Sequence, residues 1–200
     1  MKAQLNRFFW IVLALSVPAS GFGAGYEIDP AHSSVTFKIR HLIGKVHGNF
    51  QKFSGKFEFE PGKPAKWKAE ATIDVASINT NVEKRDQHLR SKDFFDVENK
   101  EHLDYATMKF VSTKVTEVKE NKAKLHGNLS IHGITKPVVL DLDIGGEATD
   151  PWGNKKAAFS AATTINRKDF GLTWNQTLEA GGVLVGDDVE ITLEVEGNKK

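Results

Sequence analysis

Residues 123–144 read AKLHGNLSIHGITKPVVLDLDI. From Ala123 to Ile131 apolar and polar side chains alternate, the chain turns at Gly133, and the alternation resumes toward Ile144. A side-chain period of two places the apolar groups of a strand on one face, so this stretch predicts a β-hairpin with one buried side.

The same period runs outward from the hairpin in both directions. Val35, Phe37 and Ile39 alternate with Thr36, Lys38 and Arg40; Phe57 and Phe59 lead into the turn EPGKP at 60–64; Ala69, Ala71, Ile73 and Val75 oppose Glu70, Thr72 and Asp74. Met108 and Phe110 open a strand that runs to the turn KENK at 119–122, and the turn DPWGNKK precedes Phe159, Ala161, Thr163 and Ile165. Val138, Leu140, Leu142 and Ile144 share one parity, as do Val189, Ile191, Leu193 and Val195. The reading is mainly β, an antiparallel barrel with one short α-helix, because a long sheet with so many inward aromatics closes on itself. About eight strands is the number at which a small barrel encloses one ligand.

Residues 1–25 stand apart. Lys2 and Arg7 form a basic start, Phe8 to Val17 an apolar run, and Pro18 to Gly25 a small-residue stretch with several candidate cut sites, which reads as a secretory signal peptide. The apolar run is about half of the ~20 residues that a membrane span requires, so no stable membrane anchor is expected. Cleavage leaves one domain, 26–200, in the periplasm or outside the cell. Without Lys2 and Arg7 the 27 basic side chains become 25 against 26 acidic ones, and a net charge near −1 gives nothing to attract nucleic acid or an anionic surface. The chain has no cysteine, so an exported domain must be held by burial rather than cross-links.

One segment breaks the strand period. NVEKRDQHLRS at 81–91 predicts a helix, with Thr80 and Glu83 spaced as a capping box and Val82 and Leu89 on one face. Phe94 and Phe95 follow and are expected to pin the helix to the barrel wall or across one mouth.

Residue chemistry points away from catalysis. The seven His show no HExxH or His-x-His spacing, so no metal site is expected. His126 and His132 share the outer parity with Asn128 and Ser130. Gly181, Gly182 and Gly186 do not make a phosphate-binding GxGxxG, and no nucleophile elbow or redox cysteine occurs. Arg85 and Asp86 read either as charges that hold the fold by bonding to loop backbone or as groups that, with His88, line the mouth. INR at 165–167, with Asp169, reads as a strand end whose Arg pairs locally.

Five blocks in order carry a resemblance: YEIDPAHSSVTFKIRH at 26–41, FSGKFEF at 53–59 with the preceding G-x-F, SINTNVEKRDQHLRSKDFFD at 77–96, GNLSIHGITKPV at 127–138 and INRKDFGL at 165–172. Together they resemble the YceI-like family. The departure is NKEHLDYATMKF at 99–110, which lacks the Pro that usually stands ahead of the Phe strand. The resemblance implies a lipocalin-like barrel with an apolar tunnel, exported and binding a polyisoprenoid.

On that basis the chain is read as a carrier for a polyisoprenoid or similar long apolar lipid, such as an isoprenoid quinone, with no cofactor. The wall candidates are Phe37, Ile39, Phe57, Phe59, Ile73, Phe110, Leu129, Ile131, Leu140 and Phe159, and the mouth candidates are Arg85, His88, Phe94 and Trp174. Burying a forty-carbon chain at ~0.8 kcal/mol per methylene would exceed the ~20 kcal/mol ceiling of non-covalent affinity, so tail ordering must offset much of the gain. Three other readings stay open: a fatty-acid or amide amphiphile bound in a stress-protective role, an enzyme acting on a bound amphiphile, and a filled barrel that is purely structural. Outward aromatics such as Trp67 and Trp152 suggest a homodimer.

Overall fold

The computed structural model describes residues 25–179 and 181–200; the expected leader, apart from Gly25, lies outside them. Eleven strands and one helix follow in chain order: β1 (Tyr26–Ile28), β2 (Ser34–His41), β3 (Gly44–Phe50), β4 (Phe53–Glu58), β5 (Lys68–Asp74), β6 (Ile78–Asn79), α1 (Glu83–Arg90), β7 (Thr107–Lys119), β8 (Lys122–Ile131), β9 (Ile134–Thr149), β10 (Lys155–Asn166) and β11 (Val185–Lys199).

All the pairings are antiparallel, and they close a ring. β11 pairs with β1 through Gly197 to Lys199 and with β2 through Val185 to Glu194, so β1 and β2 are the two halves of one barrel strand. β3 pairs with β2 and β4 with β1, which makes β3 and β4 the halves of a second, broken at Gln51 and Lys52. With β5, β7, β8, β9, β10 and β11 the barrel has eight strands, as the period-two reading requires. The hairpin at its heart turns on His132 (φ 51°) and Gly133 (φ 74°), with Ile131 opposite Ile134. Positive φ at both turn residues matches the right-handed twist of the flanking strands.

The two ends differ. One end holds the 60–64, 119–122 and 150–154 turns and is filled by aromatic rings. Tyr26 stacks on Phe57 at 5.0 Å, Phe159 meets Phe57 and Phe59 edge-on at 5.3 and 4.9 Å, and Trp67 packs on Phe59 at 4.9 Å. Trp67 is buried and its indole N–H donates to the Glu60 carbonyl, so it is not the outward aromatic expected; Trp152 is outward. The short 3₁₀ turn Pro64–Lys66 brings the chain back over the barrel end and folds the indole under it.

The other end is covered rather than filled. There, among the described residues, β3 has no strand neighbour beyond β2 except the two residues of β6, and α1 follows β6 across the gap. Leu89, Phe95 and Val97 pack on the buried cluster of Phe50, Val75, Ile78, Met108, Leu129, Ile131, Phe170 and Leu172, so the segment after β6 completes the wall.

The helix starts differently from the expected capping box. Asn81 takes φ 61°, which delays the first helical turn, and Val82 stands at the N-cap with no side-chain cap. Thr80 turns inward: its backbone N–H and hydroxyl donate to Asp86 Oδ1 at 2.9 and 2.5 Å, and both residues are buried. Glu83 accepts instead from Gln87 and Arg90, each at 3.0 Å.

Candidate functional site

A cavity of about 580 Å³ lies between the filled end and α1. Its wall is made by inward parity: Phe37 and Ile39 from β2, Ile73 from β5, Phe110 from β7, Leu129 and Ile131 from β8, Leu140 from β9. All seven were predicted wall residues. Phe57, Phe59 and Phe159 share that parity but sit deeper, in the aromatic plug, where they line a separate pocket of about 110 Å³. Phe110 and Leu140 border both spaces and form the floor between them.

Glycine keeps the lumen open. A Cβ on Gly48 would fall 2.3 Å from the Phe37 ring and one on Gly127 would fall 2.4 Å from the Phe110 ring. Each Phe therefore lies flat over a bare backbone instead of standing into the lumen, the cross-strand aromatic-over-glycine device of curved sheets. This is the physical content of inward Phe placed beside Gly.

The mouth candidates converge. His88, Phe94 and Trp174 form a three-ring cluster with centroids 4.9 to 5.1 Å apart, the imidazole meeting both other rings edge-on. His88 Nε2 also lies 2.9 Å from Asp93 Oδ2. Trp174 arrives on the stretch between β10 and β11, so the cluster ties that stretch to α1.

Two of the cations that reach the cavity, Arg85 and Arg167, donate to backbone carbonyls. Arg85 Nε donates to the Thr80 hydroxyl at 2.7 Å and Nη2 to the Thr80 carbonyl at 2.9 Å, with Asp86 bound to the same residue. The fold-holding role is thus the one their geometry displays, although Arg85 also borders the lumen. Arg167, 3 % exposed, donates to the carbonyls of Gly186, Leu172 and Trp174 at 2.8, 2.5 and 2.9 Å. Burial pushes its guanidinium below the usual range, and Asp187, 3.5 Å away, opposes that shift. The local partner of this Arg is Asp187, not the nearer-in-sequence Asp169. Its work is to seat the 172–186 stretch along the mouth, and the sequence reading treated it only as a strand end.

Further lining residues went unnamed among the wall candidates: Val46, Phe50, Ile78, Met108, Ile165, Leu172, Leu184 and Ile191. For Ile165 and Ile191 strand parity already carried the signal. Phe50 and Leu172 enter through a strand break and a loop, where periodicity is silent.

Elsewhere, Asp29, His32 and Glu196 are the one group among the described residues whose ligand atoms approach within 4.8 Å. The Lys156 ammonium sits 2.6 Å from Glu196 and 3.7 Å from Asp29, and so supplies the positive charge there.

The fold and site define a class: a closed antiparallel barrel with an apolar lumen, an aromatic cluster at the rim and a helix over the wall gap. The chain belongs to the YceI-like family, whose domain model matches residues 26–197. A UPF0312 protein of Pseudomonas syringae pathovar tomato is 40% identical over 188 residues, covering 90% of this chain and 91% of its own. The crystal structure of Burkholderia cenocepacia BcnA superposes with a TM-score of 0.73 at 25% identity, over 84% of this chain and 98% of that one. A Saccharophagus degradans domain described as polyisoprenoid-binding has the same fold, with a TM-score of 0.61 at 15% identity over 89% of this chain and all of its own.

Proposed function

We propose that the protein is an exported carrier that holds a polyisoprenoid, or a similar long apolar chain with a small polar head, in the barrel. The observation that carries this reading is the cavity of about 580 Å³ with its predominantly apolar wall between a plugged floor and a rim of His88, Phe94 and Trp174. Its size is within the ~300–1,000 Å³ range of sites that enclose small molecules. Flat-lying Phe rings and branched aliphatics offer dispersion contacts along a flexible tail and no directional partner that would demand one tail length. The polyisoprenoid-binding description of the Saccharophagus degradans domain supports the ligand class, and the basic-apolar-small pattern of residues 1–25 supports export. Binding rather than catalysis is favoured because Arg85 and Arg167 spend their donors on backbone carbonyls.

Native mass spectrometry of the purified protein, followed by lipid extraction, tests the reading. The expected result is one prenyl lipid per chain. A fatty acid or amide would replace the ligand class, and a lipid-free barrel that takes up no prenyl lipid would overturn the carrier.

A further inference from the structure

The interior of the barrel is divided at one level. Along β8 the inward positions are Leu125, Gly127 and Leu129: Leu125 borders the space of about 110 Å³, Leu129 borders the cavity of about 580 Å³, and Gly127 stands between them without a side chain. The Phe110 ring lies where a side chain on Gly127 would stand. Phe110 is also the one partly buried apolar residue among those described that packs against both buried clusters, the one in the plug and the one toward the mouth.

Other strands complete the layer. Ile28 of β1, Ala71 of β5, Leu140 of β9, and Leu193 and Val195 of β11 border both spaces, as Phe110 of β7 does. Ala161 of β10 is buried and borders the small space but not the cavity. Every side chain of the layer is apolar, so room alone decides what passes it. A tail pushed through would have to lift the Phe110 ring from the Gly127 backbone, giving up the dispersion contacts of a packed ring to gain those of a few tail carbons, and that exchange offers little.

We propose that Phe110 and Leu140 form a length stop: the far end of a bound prenyl tail rests on them, and the small space beyond is excluded from the site. This rests on the carrier reading and deepens it, because the wall demands no particular length while the floor sets an upper limit. The excluded space of about 110 Å³ holds roughly four groups of water size at ~30 Å³ each, which is about one five-carbon isoprene unit. Opening the floor should therefore lengthen the accepted tail by about that amount, and refilling the small space should shorten it again.

The test is competition among all-trans prenyl alcohols that differ by single isoprene units, from farnesol to decaprenol, read by native mass spectrometry. In the wild type, affinity is expected to rise with each unit up to a limiting tail and then to stop rising. Phe110→Ala is expected to move that limit up by roughly one unit, so that the first longer tail gains about tenfold or more over the limiting one. Because tails are compared within each variant, a general loss of affinity or stability cancels. Leu140→Ala should move the limit in the same direction, and it carries the test if Phe110→Ala does not fold. Ala161→Leu, which fills the small space, should leave the limit of the wild type unchanged and restore that limit in Phe110→Ala, a reversal that mere loosening of the barrel would not produce. A limit that neither floor variant moves overturns the proposal, and so does an Ala161→Leu chain whose own limit is shorter than the wild type's, since the tail would then already pass the floor. A wild type whose affinity rises through the whole series sinks the length stop and leaves the carrier standing; one that binds no prenyl alcohol of any length sinks the carrier, and the stop with it.

Discussion

The ring of Phe110 lies flat across Gly127 on the neighbouring strand, so close that a Cβ on the glycine would sit 2.4 Å from two ring atoms and 2.8 Å from the Val111 carbonyl. The missing side chain of one residue thereby sets the rotamer of another and, through it, the free volume of the lumen. Gly127→Val is expected to drive the ring into the cavity, with an overpacking cost of about 1–3 kcal/mol. A lower urea midpoint together with loss of bound lipid would be the signature; an unchanged midpoint would mean the ring has other room.

Filling the lumen without disturbing its wall separates cavity from core. Ile131 is buried on β8 and faces the cavity. Ile131→Trp is expected to leave a folded barrel, destabilised by no more than about 1–3 kcal/mol, with sharply reduced lipid stoichiometry in native mass spectrometry. Full stoichiometry in a folded variant would place the ligand elsewhere.

These two positions also show where the sequence was informative. Alternation from Ala123 to Ile144 gave the hairpin, its turn and the inward set, because a period of two is a local consequence of the pleat. Depth along the barrel is not local: nothing in the parity of Phe57 and Phe59 distinguishes plug from cavity wall, since that depends on the register of strands far apart in sequence. Trp67 and Thr80 were misread for a related reason. A 3₁₀ turn folds the one under the barrel end, and a single left-handed residue, Asn81, moves the helix start and frees the other to bind Asp86. The rim cluster was legible as separate residues, but only tertiary contact brings Trp174 to His88.

Arg167 seats the stretch that carries Trp174. Arg167→Met would leave the buried carbonyls of Gly186, Leu172 and Trp174 without their donor, at an expected cost of ~3 kcal/mol or more. The urea midpoint should fall, and amide exchange should rise first in residues 172–186. Uniform acceleration over the whole barrel would show instead that this Arg holds the global fold.

Tyr26 makes stability sensitive to alkali. Its side chain is 1% exposed and donates to Glu147, and burial first, with the carboxylate adding to it, pushes the phenol up to about 12 from an ordinary 10.0. A folded-state value above the unfolded one means the contribution is fully present below pH 10 and is lost as pH climbs toward about 12. Chemical denaturation across that window should show stability falling in the wild type and a shallower fall in Tyr26→Phe. Parallel slopes would remove Tyr26 from the alkaline transition.

His88 offers the discriminating test of the rim. Its imidazole meets Phe94 and Trp174 edge-on, is anchored to Asp93 and borders the cavity, so it is placed to touch whatever part of a ligand emerges from the apolar wall. A tail buried below the rim does not reach it. His88→Ala is therefore expected to weaken an isoprenoid quinone by roughly fivefold, about 1 kcal/mol, while leaving a plain prenyl hydrocarbon of equal length nearly unaffected. Competition between the two lipids, read by native mass spectrometry on wild type and variant, measures the difference directly. Equal weakening of both would assign His88 to holding Trp174 and the 172–186 stretch in place, and headgroup recognition would then have to come from another part of the rim.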